Sequence, residues 1–161
     1  MIENKEGKIA FSYNSDELFN DVSLISAYMA KNIVSDSGPT LDELAISDDD
    51  KDVFEVCVKQ TLPNIYETLM KISHGIEDAF QYKNNAIIFN ILDNNAYNGN
   101  VLTLVESTLF ECLKYGVLTE FYSINTNALL LQLSQSKLAS NLLLLNQRLF
   151  QLKKKSVSSL L

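Results

Sequence analysis

The sequence predicts a mainly α protein, a four-helix bundle-like domain with a short N-terminal strand and a small β-hairpin. Three observations predict it. Apolar residues recur at spacings of three and four over four long stretches. Aromatic and β-branched residues flank an Asn pair at 84–85, which is a hairpin pattern. With 161 residues, 47% of them apolar, the chain is long enough to bury one core.

Along the chain, residues 1–14 are expected to form an arm or strand, because Lys8–Tyr13 alternate weakly in polarity. Asn14 stands three residues before Glu17, a capping-box spacing, so a helix should follow to about Val34. Its stripe is Leu18, Val22, Ile25, Met29 and Ile33, widened by Phe19 and Tyr28. The breaker Ser35-Asp36-Ser37-Gly38-Pro39-Thr40 opens a loop to residue 47, with room for a helical turn at Leu41–Leu44. Ser47 then caps a second helix, with Asp48, Asp49 and Asp50 at its positive end and Phe54, Val58, Ile65, Leu69 and Ile72 on its apolar face. Pro63 predicts a kink or split near Leu62, and Gly75 a stop. The hairpin is placed at about 78–92. A third helix is expected over about Val101–Tyr122, apolar over a width that implies burial on two sides. Gly116 within it marks a close helix contact, since Gly otherwise costs about 1 kcal/mol there. The last helix should begin at Asn125 or Thr126 and run to about Lys155. Leu131, Leu138, Leu145 and Leu152 recur every seven residues, with Leu142 and Leu149 between them and a polar gap at Gln135. Residues 15–155 are thus read as a single helical domain and 156–161 as a tail.

Composition narrows the function classes. A net charge of −7 disfavours nucleic acid and anionic lipid as partners. No uninterrupted apolar run exceeds four residues, Leu142–Leu145 being one of them, so no membrane span and no secretory signal is expected. The two cysteines, Cys57 and Cys112, sit in apolar helical context and read as structural thiols of a protein kept in a reducing cytoplasm.

Motifs that carry chemistry fail in turn, and no catalytic, cofactor or metal site is expected. A calcium loop starting at Asp48 needs Gly at Val53 and Glu at Lys59; one starting at Asp93 needs them at Asn98 and Leu104. His74 is the single histidine, and no CxxC pair could join it around a metal. Glu106 and Glu111, five apart on a helix, face different ways. The chain has no phosphate-cradling or nucleophile-elbow glycine pattern.

Two asymmetries remain. Residues 1–120 hold all twenty acids and eight of the thirteen Lys and Arg, a balance of −12. Residues 121–161 hold the other five bases, Lys137, Arg148, Lys153, Lys154 and Lys155, and no acid, a balance of +5. This is either ordinary dipole complementarity at a helix end or a basic end that meets an acidic surface of a neighbouring subunit, such as the 42–55 region. The last helix also carries more leucines than one face needs, Leu143, Leu144 and Phe150 lying off its seam. Either it is packed on all sides, or part of it is covered only on assembly. The candidate interface is therefore Leu143, Leu144, Phe150, Arg148, Lys153, Lys154 and Lys155, together with Asp48, Asp49 and Asp50.

The order of elements resembles the small neck proteins of tailed phages, the head-to-tail connector, adaptor and ring proteins, particularly of phages infecting Bacteroides-type bacteria. Three stretches carry the resemblance. They are Ser12–Lys31 with its Glu17-Leu18-Phe19 helix start, Asp48–Val58 with Phe54, and Cys112–Tyr122 (CLKYGVLTEFY) followed by the helix ending in Asn146-Gln147-Arg148-Leu149-Phe150. The resemblance implies a virion structural protein, assembled in the host cytoplasm as a ring homo-oligomer, commonly a dodecamer, between portal and tail proteins. DNA would at most pass through its channel. The alternative is a cytoplasmic helical adaptor or regulator that binds a partner protein through its leucine-rich C-terminal helix.

Overall fold

The computed structural model describes residues 1–5, 7–33, 40–73, 76–93 and 97–158. The predicted stop at Gly75 and the histidine at position 74 fall outside them, as do residues 159–161. The chain is mainly α, as expected, with four long helices packed against one small sheet.

Strands β1 (Ile2–Lys5) and β2 (Lys8–Asn14) form a hairpin, and Gly7 (φ +74°) supplies the left-handed residue beside β2. Strands β3 (Phe80–Lys83) and β4 (Ala86–Leu92) form the second hairpin, turned by Asn84 (φ +51°) and Asn85 (φ +61°). Paired left-handed residues make the tight turn whose twist matches the flanking strands, which is why an Asn pair sits there. The two hairpins join through β2 and β4 into one antiparallel sheet of order β1-β2-β4-β3. The N-terminal segment is therefore an integral part of the sheet, with β1 as an added edge strand. Its polar sequence hides it: Ile2 alone, opposite Phe11, gives β1 an inward apolar anchor.

The register Ile9↔Ile91, Phe11↔Phe89 and Tyr13↔Ile87 puts six apolar chains on one face, and all six are buried. Between β2 and β3 runs α1 (Ser15–Lys31), started by Asn14, whose Oδ1 accepts from the amides of Asp16 and Glu17. It ends at Asn32, two residues short of the expected Val34. The turn α2 (Leu41–Leu44) follows where expected. The Ile46 amide donates to the buried Ser26 Oγ at 2.8 Å and pins this loop to α1. A 3₁₀ turn, Asp48–Asp50, leads into α3 (Lys51–Ser73).

Helix α3 runs unbroken through Pro63, correcting the expected split. Pro63 faces solvent, where water can satisfy the carbonyl left without a donor, and the buried Leu62 and Ile65 hold the helix on either side. Helix α4 (Gly99–Ile124), capped by Asn98, is the central element, packed by α1, α3 and α5 and met by β2 through Tyr13, whose ring stacks on Phe110. Ten of its residues are buried, on more than one side, as its apolar width implied. Gly116 is the close approach: a Cβ there would lie 2.3 Å from Thr61 Cγ2 of α3. Helix α5 (Ala128–Ser158) starts after Thr126 (φ +54°), with Asn127 Oδ1 accepting from the Leu130 amide. The cap is thus one or two residues later than expected, and the helix continues three residues past Lys155.

Candidate interaction surface

Helix α5 packs on α4 and α3 with a seam rotated from the one expected. Leu130, Ser134, Leu145, Leu149 and Leu152 are fully covered, Leu131, Leu138 and Leu142 half-covered, and Gln135 is exposed. The heptad series was right from Leu138 onward, but at the N-terminal end of α5 the buried line passes through Leu130 and Ser134. Ser134 can be buried because its hydroxyl donates to the Leu130 carbonyl at 2.8 Å.

The surplus leucines point outward. Leu143 is 60%, Leu144 37% and Phe150 59% exposed, and Leu129 and Leu133 are exposed as well. At about 3.6 residues per turn these five fall within roughly 120° of arc, opposite the buried line. Among the described residues, α5 is an outer helix, and its second apolar face is largely exposed.

The other candidate residues divide. Arg148 turns inward, Nη1 donating to the Leu104 carbonyl at 2.6 Å and to Thr108 Oγ1, so its charge ties α5 to the first turns of α4. Asp48 pairs with Lys51 at 2.9 Å, and Asp50 Oδ2 accepts from the amide (2.8 Å) and hydroxyl (3.0 Å) of Ser47. Asp49 is exposed. Residues 153–155 lie in the last turns of α5; their side chains are outside the described set.

Helix direction decides where these charges sit. Gly116 lies against Thr61 and Glu120 faces Cys57, so α3 runs antiparallel to α4. Arg148 reaches Leu104 and Thr108, so α5 also runs antiparallel to α4. Helices α3 and α5 are therefore parallel. The aspartate run at the start of α3 and residues 153–155 at the end of α5 lie at opposite ends of the bundle. A helix of this length spans about 46 Å at 1.5 Å per residue. The two charged regions cannot pair within one molecule.

Sequence reasoning missed a second feature, an open apolar groove of about 610 Å³ between α1 and α5. Its α1 wall is Leu24, Ile25, Tyr28 and Met29, its floor Tyr115 of α4, and its α5 wall Leu133 and Lys137. Leu24 (73%) and Tyr28 (74%) stand on its rim. Tyr28 had been placed on the core stripe of α1; its exposure shows that α1 has a second apolar line, Leu24 and Tyr28, four residues apart. No known family model, no curated protein and no solved structure matches this chain.

The titratable groups of the interior are held neutral. Burial pushes the Cys57 thiol up to about 11, with Glu120 adding to it, and the Cys112 thiol up to about 12, with Glu111 adding. Both cysteines are free and buried, as a structural role requires. Burial likewise raises Tyr13, whose hydroxyl donates to the Glu106 carbonyl at 2.7 Å. Lys114 differs: burial opposes its charge, yet Glu111 (2.6 Å) and Asp21 (3.5 Å) outweigh that and raise its pKa, clamping α1 to α4. Among the described residues no three His, Cys, Asp or Glu gather as metal ligands, and no helix is long and apolar enough to cross a membrane.

Proposed function

We propose that this chain is a structural subunit that works by assembling with copies of itself, and that the assembly is the ring of a tailed-phage head-to-tail connector or adaptor. The observation that carries the reading is the setting of α5. It presents Leu129, Leu133, Leu143, Leu144 and Phe150 to solvent, on a helix whose basic end lies at the opposite pole from Asp48, Asp49 and Asp50. An uncovered line of large apolar chains is a docking face. Two unlike poles on one body favour head-to-tail contacts, in which one patch meets a different patch of the next copy, and such contacts form a ring when the rotation between copies closes. The ring identity is supported by the sequence resemblance and by the −12 and +5 balance of the two segments. In this reading the subunit does no chemistry, neighbouring portal and tail proteins are its further contacts, DNA only traverses the channel, and the virion is its location.

Native mass spectrometry with negative-stain imaging of the purified chain tests this. Closed oligomers are expected, dissociating as salt rises because the poles are exposed and screened, and lost when Leu143, Leu144 and Phe150 are together changed to Ser. A chain that stays monomeric at high concentration, and is missing from purified particles, overturns the reading.

The second reading, a helical adaptor for a partner protein, is favoured by the groove, since a concave apolar trough suits an amphipathic helix. It predicts a small complex of fixed composition with no particle association.

A further inference from the structure

We propose that the exposed line of α1 is a self-docking site: Leu24 and Tyr28 of one copy seat in the α1–α5 groove of a second copy, the two α1 helices lying antiparallel about a two-fold axis. The inference rests on the self-assembly reading only in needing a second copy; its groove shares Leu133 with the outward line of α5 and does not include Leu143, Leu144 or Phe150.

The argument starts from the order of side chains on α1. Glu17, Asp21, Leu24, Tyr28 and Lys31 fall within roughly 80° of arc at about 3.6 residues per turn. Read along the helix, this line is acid, acid, apolar, apolar, base. The apolar pair is among the most exposed of the described residues, and it borders a groove that is apolar apart from Lys137. Lys31 is exposed, and neither it nor Lys137, the one charged side chain lining the groove, pairs with a described acid.

Such a line is complementary to itself in one orientation only. Antiparallel, with the axis between Leu24 and Tyr28, each Leu24 meets the other copy's Tyr28, and each Lys31 falls opposite the other copy's Asp21, with Glu17 one helical turn beyond. Parallel, acids would face acids and lysine would face lysine. Glu17 is exposed, and Asp21, though 3.5 Å from Lys114, keeps 41% of its side chain open to a second cation. A two-fold contact makes each favourable pair twice, which is how isologous interfaces reach stability from a short patch. The Tyr28 ring is the type of large, rigid anchor that dominates such interfaces.

Sedimentation equilibrium of the full chain tests the proposal, run on the wild type and on the Leu143→Ser, Leu144→Ser, Phe150→Ser variant that removes the α5 line. The variant is expected as a dimer, and the wild type as a larger assembly that contains the same two-fold contact. Leu24→Asp should weaken that contact by about tenfold or more in either background, with an unchanged circular-dichroism melt because Leu24 is exposed. Lys31→Glu should weaken it at low salt, and Glu17→Lys combined with Lys31→Glu should recover part of the loss, since only an antiparallel pair brings these two positions within a helical turn of each other. Assembly that persists unchanged with Leu24→Asp overturns this contact and leaves the α5 reading standing. Failure of the double reversal to recover any of what Lys31→Glu lost overturns the antiparallel arrangement. A wild type that remains monomeric overturns both.

Discussion

At the scale of single residues, the tightest constraint is the pairing of Gly116 with Thr61. The two helices approach so closely that no Cβ fits at 116, since it would sit 2.3 Å from Thr61 Cγ2. Thr61 is itself buried between the two helices, so its side chain has little room to give way. Gly116→Ala should therefore destabilise the chain by about 1–3 kcal/mol, the range for overpacking a core. Adding Thr61→Ala removes the methyl that clashes, so the double variant should lose less than the sum of the two single changes. Urea titration of the four chains measures the coupling; strict additivity would mean that the two positions do not touch. Arg148 makes the opposite point. Its charge marked it as an interface candidate, and its geometry makes it a brace between α5 and α4.

At the scale of elements, the hairpins and the helix starts are local decisions. Asn84 and Asn85 both hold positive φ, a region that Asn enters readily and β-branched residues avoid. Asn85 also donates to Asp16 Oδ2 at 2.5 Å, and its carbonyl accepts from the Ser15 amide at 2.9 Å, so the turn is fastened to the start of α1. Asn84→Val should then cost about 1–2 kcal/mol, the scale of one strained left-handed residue, while Asn84→Gly should stay within about 0.5 kcal/mol. Thermal unfolding of the two variants separates them; equal losses would show that the turn does not depend on φ. Helices α1, α4 and α5 each begin at an Asn whose side chain accepts a backbone amide. These caps were readable for α1 only, where Glu17 completes the pattern. For α5 three candidates, Asn125, Thr126 and Asn127, stand in a row, and the left-handed turn at Thr126 selects the last.

At the scale of the whole molecule, stability should depend on alkaline pH through the buried thiols and Tyr122. Burial pushes Tyr122 up to about 12, offset in part by Ser26, beside the thiols near 11 and 12. In the unfolded chain the thiols ionise near 8.5 and tyrosine near 10, as unperturbed groups do. Below those values both states hold the protons and pH has no effect through these groups. Above them the unfolded chain releases protons that the folded chain keeps, so stability falls as pH rises from about 9 toward 12. Urea unfolding at stepped pH should show this decline, and Cys112→Ala should make it shallower relative to its own value at pH 7. A flat profile to pH 11 would show that the thiols are solvated. The placing of charge also belongs to this scale, because Asp48–Asp50 and the end of α5 come to lie at opposite ends of the bundle only once α3, α4 and α5 are set in alternating directions.

What the sequence by itself determined was the periodic and the local: four amphipathic helices, the Leu41–Leu44 turn, the Asn84-Asn85 hairpin, the Asn14 cap and the close contact at Gly116. Each rests on residues within a few positions of one another, where propensity and spacing act directly. Only the tertiary structure decided that the two hairpins share one sheet, that Pro63 is carried through α3, that Arg148 faces inward, that Leu143, Leu144 and Phe150 are exposed, and that Leu24 and Tyr28 rim a groove. Those outcomes depend on which element lies across from which. Pairing across 74 residues, as between Tyr13 and Ile87, or across 44, as between Arg148 and Leu104, leaves no trace in the spacing of either partner alone.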